Sequence, residues 1–102
     1  ANSSVVIPST YTSIADYTFY HCGNLQTVLF EANSQVTSIG EYAFGYTNLT
    51  SISIPSSVTT IEQYAFSGCN NLLSISIDHQ GSNLAIESKA FNDINNKCIM
   101  IR

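Results

Sequence analysis

Acid–base, nucleophilic or metal chemistry in this chain would have to come from two histidines, seven acidic residues and three cysteines. A catalytic centre brings a nucleophile, a base and an orienting group into one concavity. His21 and His79 stand 58 positions apart, which in the repeat described below is too far for them to act together. The acids Asp16, Glu31, Glu41, Glu62, Asp78, Glu87 and Asp93 are scattered singly. Asp16 and Glu41 share one repeat offset in adjacent repeats, where two carboxylates either hold a weak cation between them or remain solvated. Glu31 and Asp78 end strands in repeats that are not neighbours. No Gly-rich phosphate loop, calcium loop or metal-ligand spacing is present. The expectation is therefore a non-enzyme, with no catalytic residue, no metal site and no cofactor.

The cysteines point the same way. Cys22 and Cys69 occupy one repeat position two repeats apart, and Thr47 takes that position between them. Two repeats span about 10 Å at strand spacing, beyond the roughly 7 Å Cα separation that a disulfide closes. Both are expected to be buried, unpaired thiols that pack as small hydrophobes. Cys98 falls on a strand away from both, where a free thiol is the one candidate for pairing two molecules. An odd count without C-x-x-C argues against a zinc site or a disulfide framework. Two sequons occur, Asn2-Ser3-Ser4 and Asn48-Leu49-Thr50, and the Asn48 side chain is expected to hydrogen-bond its own turn.

The elements that carry these residues follow from composition and period. Ser (15), Asn (10) and Thr (9) make up one third of the 102 residues, and only 10% are charged. That polarity alone resembles a disordered segment, but Leu, Ile, Val and Phe supply 28 residues, more than disorder allows. Three Lys/Arg against seven Asp/Glu give a net charge of −4 and no basic patch, so nucleic-acid binding lacks its main driving force. No run approaches the 18 or so apolar residues of a membrane span.

An internal repeat organises the chain. Phe19, Phe44, Phe66 and Phe91 recur at intervals of 25, 22 and 25. Each is preceded five residues earlier by isoleucine (Ile14, Ile39, Ile61, Ile86) and directly by a small residue. The first three also have a tyrosine two positions before them (Tyr17, Tyr42, Tyr64), a place taken by Lys89 in the fourth. A second ladder, Val5, Val28, Ile52, Ile75 and Ile99, has intervals of 23, 24, 23 and 24, and Ile7, Phe30, Ile54, Ile77 and Ile101 follow two residues on. Alternation of β-branched and aromatic residues predicts one half-buried strand per repeat. Pro8 and Pro55 follow strand residues, where a missing N–H ends the ladder. The Ile-x-x-Tyr-Ala-Phe segment has closer to helical spacing, enough for a turn or two.

One strand and one turn per repeat cannot bury an apolar face alone, so the copies must stack into a right-handed solenoid. Residues 51–72, SISIPSSVTTIEQYAFSGCNNL, resemble an almost unaltered unit of the BspA-like, or treponemal-type, leucine-rich repeat, and the resemblance covers essentially the whole chain. It implies an α/β repeat solenoid, a right-handed leucine-rich-repeat coil with a parallel concave β-sheet and short helical or 3-10 turns on the convex side. One domain, 1–102, is expected, with coils at about 5–27, 28–51, 52–74 and 75–98 and a final strand at 99–102. The last repeat departs from the pattern: Asp78 to Asn83 replace the usual Pro-containing turn, and Lys89 and Ile94 replace tyrosine and cysteine. It is expected to be irregular or to act as a partial cap.

Alternation along the strands directs Ser4 and Val6, Thr27 and Leu29, Ser51 and Ser53, Ser74 and Ser76, and Cys98 and Met100 outward. Thr27, Leu29, Ser51, Ser53, Ser74, Ser76 and Met100 are the candidate binding residues of the concave face. The rival is a purely structural serine ladder. Tyr17, Tyr42 and Tyr64 are expected to pack between repeats on the turn side, leaving Tyr20 and Tyr46 as candidates for exposed contacts. Similarity to the BspA-like family implies an extracellular or cell-surface, non-catalytic binding module. Its expected partners are proteins, through adhesion to host cells or to matrix glycoproteins such as fibronectin and fibrinogen. The alternative is a spacer or self-assembly segment of a longer array. Both end strands look uncapped, so either a longer solenoid or a homo-oligomer through the ends is expected.

Overall fold

The computed structural model describes residues 3–78, 84–87 and 89–91 in full and the backbone of 98–101. In chain order the strands are β1 (Ser4–Ile7), β2 (Ser13–Ile14), β3 (Thr27–Phe30), β4 (Ser38–Ile39), β5 (Ser51–Ile54), β6 (Thr60–Ile61), β7 (Ser74–Ile77), β8 (Ala85–Ile86) and β9 (Cys98–Ile101). The odd-numbered strands form one parallel sheet in sequence order, and the even-numbered ones form a second. Each circuit of the chain therefore adds one strand to each sheet, which is a β-solenoid.

The register reproduces the sequence ladder. Val5 pairs with Val28, Val28 with Ile52, Ile52 with Ile75 and Ile75 with Ile99. Inward residues are covered, with Val28, Ile52, Ile54, Ile75 and Ile77 at most 3% exposed, while their alternates face out. Inside the coil Phe19, Phe44, Phe66 and Phe91 form a continuous stack with centroids 5.3, 5.3 and 5.4 Å apart and rings within 13° of parallel. Phe44 and Phe66 are wholly buried.

The second sheet differs from the sequence expectation. Ile14, Ile39, Ile61 and Ile86 are strand residues rather than helix starts, paired in parallel register from coil to coil. The first three are buried, whereas Ile86 is 38% exposed. Val36 and Val58, three residues before Ile39 and Ile61, complete this side of the core.

The segment after these strands is not a helix either; no helix occurs among the described residues. Its N–H groups instead alternate between two destinations. Thr18, Tyr20 and Cys22 donate backwards within their own turn to Ala15, Tyr17 and Phe19, while Tyr17, Phe19 and His21 donate across to the carbonyls of Glu41, Ala43 and Gly45 in the next coil. Phe44, Tyr46 and Phe66 repeat the crossing, to Ala65, Ser67 and Ala90. A helix would aim every N–H along its own axis. Stacking claims half of them for the neighbouring coil, so the expected helical or 3-10 turns are replaced by linked tight turns.

That arrangement sets the backbone. Tyr17, Tyr42, Tyr64 and Lys89, and likewise His21, Tyr46 and Gly68, have φ between 56° and 73°. Each is the third residue of a turn, the position at which type II geometry requires positive φ. Glycine takes it freely, whereas other side chains there carry a penalty of roughly 1 kcal/mol or more.

The five-stranded sheet has one irregularity. β1–β3, β5–β7 and β7–β9 pair over four residues each, but β3–β5 pairs only at Thr27–Ser51 and Val28–Ile52. At the strand ends Glu31 N–H donates to Ile7 O (3.1 Å) and Asp78 N–H to Ile54 O (3.0 Å). The corresponding donor between β3 and β5 would be residue 55, which is proline and has no N–H to give Phe30 O. The two strands separate there.

The expectations for the last coil fall largely outside the described residues, as do His79, Asn2, Asp93 and Ile94 and the side chains of Cys98 and Met100.

Candidate binding surfaces

The outer sheet face is built as the alternation requires. Thr27, Leu29, Ser51 and Ser53 are exposed, and Ser74 and Ser76 are half-buried. Met100 lies opposite Ser76 in the backbone register. Parallel pairing sets Ser51 beside Ser74 and Ser53 beside Ser76, yet no hydrogen bond joins these four hydroxyls to one another among the described residues. Where β3 and β5 part, the face opens into a depression of about 520 Å³. Leu29, Phe30, Ser53 and Pro55 line it together with the carboxylates of Glu31 and Asp78. Glu31 is partly engaged, since its Oε1 accepts the Ser9 N–H at 2.8 Å. Val6 and Leu29, paired side by side, are 52% and 55% exposed and give the hydroxyl-lined face an apolar corner.

The turn side carries two columns of rings. Tyr17, Tyr42 and Tyr64 stack at 5.3 and 5.1 Å, and the Lys89 ammonium stands 5.9 Å from the Tyr64 centroid, a cation–π contact. His21 and Tyr46 form the second column, 4.9 Å apart and 8° from parallel. Tyr20 stands edge-on between the columns, with centroids 5.1 Å from Tyr17, 5.5 Å from Tyr42 and 5.9 Å from Tyr46. Tyr20 and Tyr46, the two tyrosines placed outside the stack by sequence, remain 38% and 40% exposed. They belong to one aromatic cluster with it, so the side-chain packing and the exposed contact surface are the same residues. Partial burial in this cluster, and then the neighbouring phenols of Tyr46, Tyr64, Tyr17 and Tyr20, raise the Tyr42 phenol above the ordinary tyrosine range.

Several sequence-singled residues have definite structural partners. Asp16 Oδ1 accepts the Glu41 N–H at 2.8 Å, so this carboxylate ties two coils together. Asn71 Nδ2 donates to Asn48 Oδ1 across adjacent coils, in place of the expected bond to its own turn. Among the described residues no three of His, Cys, Asp and Glu converge as metal ligands. The His21 ring lies against Tyr20 and Tyr46.

The two comparable cysteines separate. Cys69 is fully buried, donates to Phe44 O at 3.0 Å and shares a 3.4 Å hydrogen bond with the Thr47 hydroxyl. Cys22, expected to be buried, is exposed, because no described coil stacks on the side that Phe44 and Thr47 cover at Cys69. Burial raises the Cys69 thiol pKa, partly offset by hydrogen bonds from Thr47 and Tyr46. Iodoacetamide at neutral pH is expected to alkylate Cys22 within minutes and leave Cys69 intact until the chain unfolds, with peptide mapping as the readout. The sign of the pH effect follows. The buried neutral thiol is favoured in the native state, so folding stability is full below the unfolded thiol pKa of about 8.5 and falls as pH rises above it. Urea unfolding of the parent and of Cys69→Ala at neutral and alkaline pH is expected to show a shallower alkaline decline in the variant.

The repeat offsets, the doubled parallel sheet and the buried phenylalanine stack together define a leucine-rich coil, and the family profile described as "BspA type Leucine rich repeat region (6 copies)" matches residues 1–102. The chain belongs to the BspA-type leucine-rich repeat family. No curated protein matches it. Among solved structures it is similar to the pneumococcal vaccine antigen PcpA, at 25% identity and a TM-score of 0.74, covering 98% of this chain and 30% of that one. It also shares the fold of a leucine-rich cell surface protein from Faecalibacterium prausnitzii, at 22% identity and a TM-score of 0.52 over 97% of this chain and 35% of that one. The BspA-type chain thus spans about a third of either structure. Among the described residues no helix is long and apolar enough to cross a membrane.

Proposed function

We infer that this BspA-type chain is an extracellular or cell-surface binding module that contacts a protein partner through the outer face of its five-stranded sheet, and that adhesion to host cells or matrix glycoproteins is the use made of it. The observation that carries this reading is the face itself. Its described outward residues are uncharged, its serine hydroxyls are not consumed by one another, and Val6 and Leu29 stand exposed beside a depression at the β3–β5 gap. Interface cores favour this depletion of charge around an apolar anchor. The whole chain is taken as one domain, with coils at about 5–27, 28–51, 52–74 and 75–98 and a last strand at 99–102.

The test is binding to immobilised fibronectin and fibrinogen. Leu29→Glu and, separately, Ser76→Glu are each expected to weaken capture about tenfold or more, since a buried unpaired charge at an interface is strongly unfavourable. Circular dichroism controls for folding. Wild-type binding by both variants would remove the outer face from the reading and move the contact to the side of Tyr20 and Tyr46. Absence of binding by the parent chain would favour a spacer within a longer array.

A further inference from the structure

Beside the second ring column the turn surface dips into a depression of about 350 Å³, within the range of small-ligand sites. His21 and Tyr46 line it together with Asn48, Gly68, Asn70 and Asn71, and among the described residues no carboxylate, lysine or arginine does so. It lies within the array, and no strand residue of the sheet face lines it among the described residues.

We propose that this depression is a binding subsite for a neutral saccharide unit. Its amides carry the argument. An asparagine side chain has two donors and an acceptor. The bond from Asn71 Nδ2 to Asn48 Oδ1 orients both amides and leaves the Asn48 NH₂ group as a donor and the Asn71 carbonyl oxygen as an acceptor. A sugar carries hydroxyls that both accept and donate, so amides from adjacent coils offer partners of both kinds to a hydroxyl-rich ligand. A described lining without carboxylate, lysine or arginine favours a neutral, hydroxyl-bearing ligand over a phosphate or an ammonium group.

The aromatic wall is held in place before any ligand arrives. Tyr46 is clamped between the His21 ring on one side and Gly68 on the other, where an added Cβ would sit 2.5 Å from the tyrosine ring carbons. His21 and Tyr46 adopt φ of 61° and 56°, and the third coil places glycine at the same turn position. The fold therefore accepts glycine there, yet two coils keep a ring despite its backbone penalty. A wall already immobilised lowers the ordering loss on binding, which matters for a weak, hydroxyl-rich ligand. A proline-rich peptide, the other ligand that tyrosine walls take, needs an open slot between ring faces; here the facing rings are closed against each other.

The experiment is a titration of ¹⁵N-labelled protein with N-acetyllactosamine, chitobiose, maltotriose and mannobiose, each to about 10 mM, enough to populate a millimolar complex. At least one sugar is expected to shift the amide signals of Gly23, Asn48, Gly68, Asn70 and Asn71, with an affinity that salt leaves unchanged. Asn71→Ala is expected to weaken it about tenfold through the lost hydrogen bond. Tyr46→Gly, which suits the local backbone, is expected to weaken it similarly while the remaining spectrum stays folded. Leu29→Glu, on the other face, is expected to leave these shifts intact even if it abolishes protein binding. Silence from all four sugars, shifts produced by a proline-rich decapeptide instead, or parent-like affinity in both site variants would each overturn the proposal.

Discussion

Phe66→Ala is expected to remove about 3–5 kcal/mol of stability, the usual cost of truncating a wholly buried phenylalanine. The magnitude rests on position: Phe66 is 0% exposed and stacked on both faces, against Phe44 at 5.3 Å and Phe91 at 5.4 Å. Its removal leaves a cavity that both neighbouring coils line, and the backbone bond from Phe66 N–H to Ala90 O keeps those coils from closing over it. A small domain has only about 5–15 kcal/mol to lose, so this variant is expected to be partly or wholly unfolded at 37 °C. Phe66→Leu, which refills most of the volume, is expected to lose less than half as much. Urea unfolding followed by circular dichroism gives both values; a loss under about 1.5 kcal/mol for the alanine variant would mean that the stack is not the core.

The second large effect comes from adding a single methyl group. A Cβ on Gly40 would lie 2.5 Å from Asp16 Oδ1, 2.6 Å from Asp16 N and 2.8 Å from Ala15 C. The carboxylate cannot swing away without surrendering the Glu41 N–H it accepts, and the backbone atoms belong to the neighbouring coil. Overpacking at this severity, with a charge-assisted hydrogen bond at stake, is expected to destabilise by about 2–4 kcal/mol. The double variant Asp16→Ala with Gly40→Ala separates the two contributions. Backbone crowding predicts that most of the loss persists when the carboxylate is gone; a double variant no worse than Asp16→Ala alone would assign the whole effect to the side chain.

Much of this was legible in the residues. The Val5–Val28–Ile52–Ile75–Ile99 ladder gave the register because a stacked strand repeats its buried position once per coil, and the phenylalanine period gave the core for the same reason. The outward set of the sheet followed from alternation alone. The second sheet was missed, although its ladder of isoleucines was seen, because a two-residue strand is too short to show alternation. The turns were misread for a different reason. Tyrosine and histidine do not announce positive φ, and the one residue that does, Gly68, stands at the offset of His21 and Tyr46, where aligning the three would have revealed it. Cys22 and Cys69 looked equivalent since sequence offset encodes position within a coil but not which coils cover it. The amide pair of Asn48 and Asn71 was hidden because its partners lie 23 residues apart and meet only through stacking.

Pro55 has a consequence for the mechanics of such arrays. Pro8 and Pro55, like Cys22 and Cys69, are 47 residues apart, so two consecutive coils, not one, form the unit that recurs. In that unit one seam is fully laced and the next lacks the bond that proline cannot make. A long filament of these pairs would have compliance at regular intervals, bending and tearing first at every second seam while the pairs between stayed intact. Pulled from its ends, it would yield in steps of about 47 residues, because each coil is held only by its neighbours.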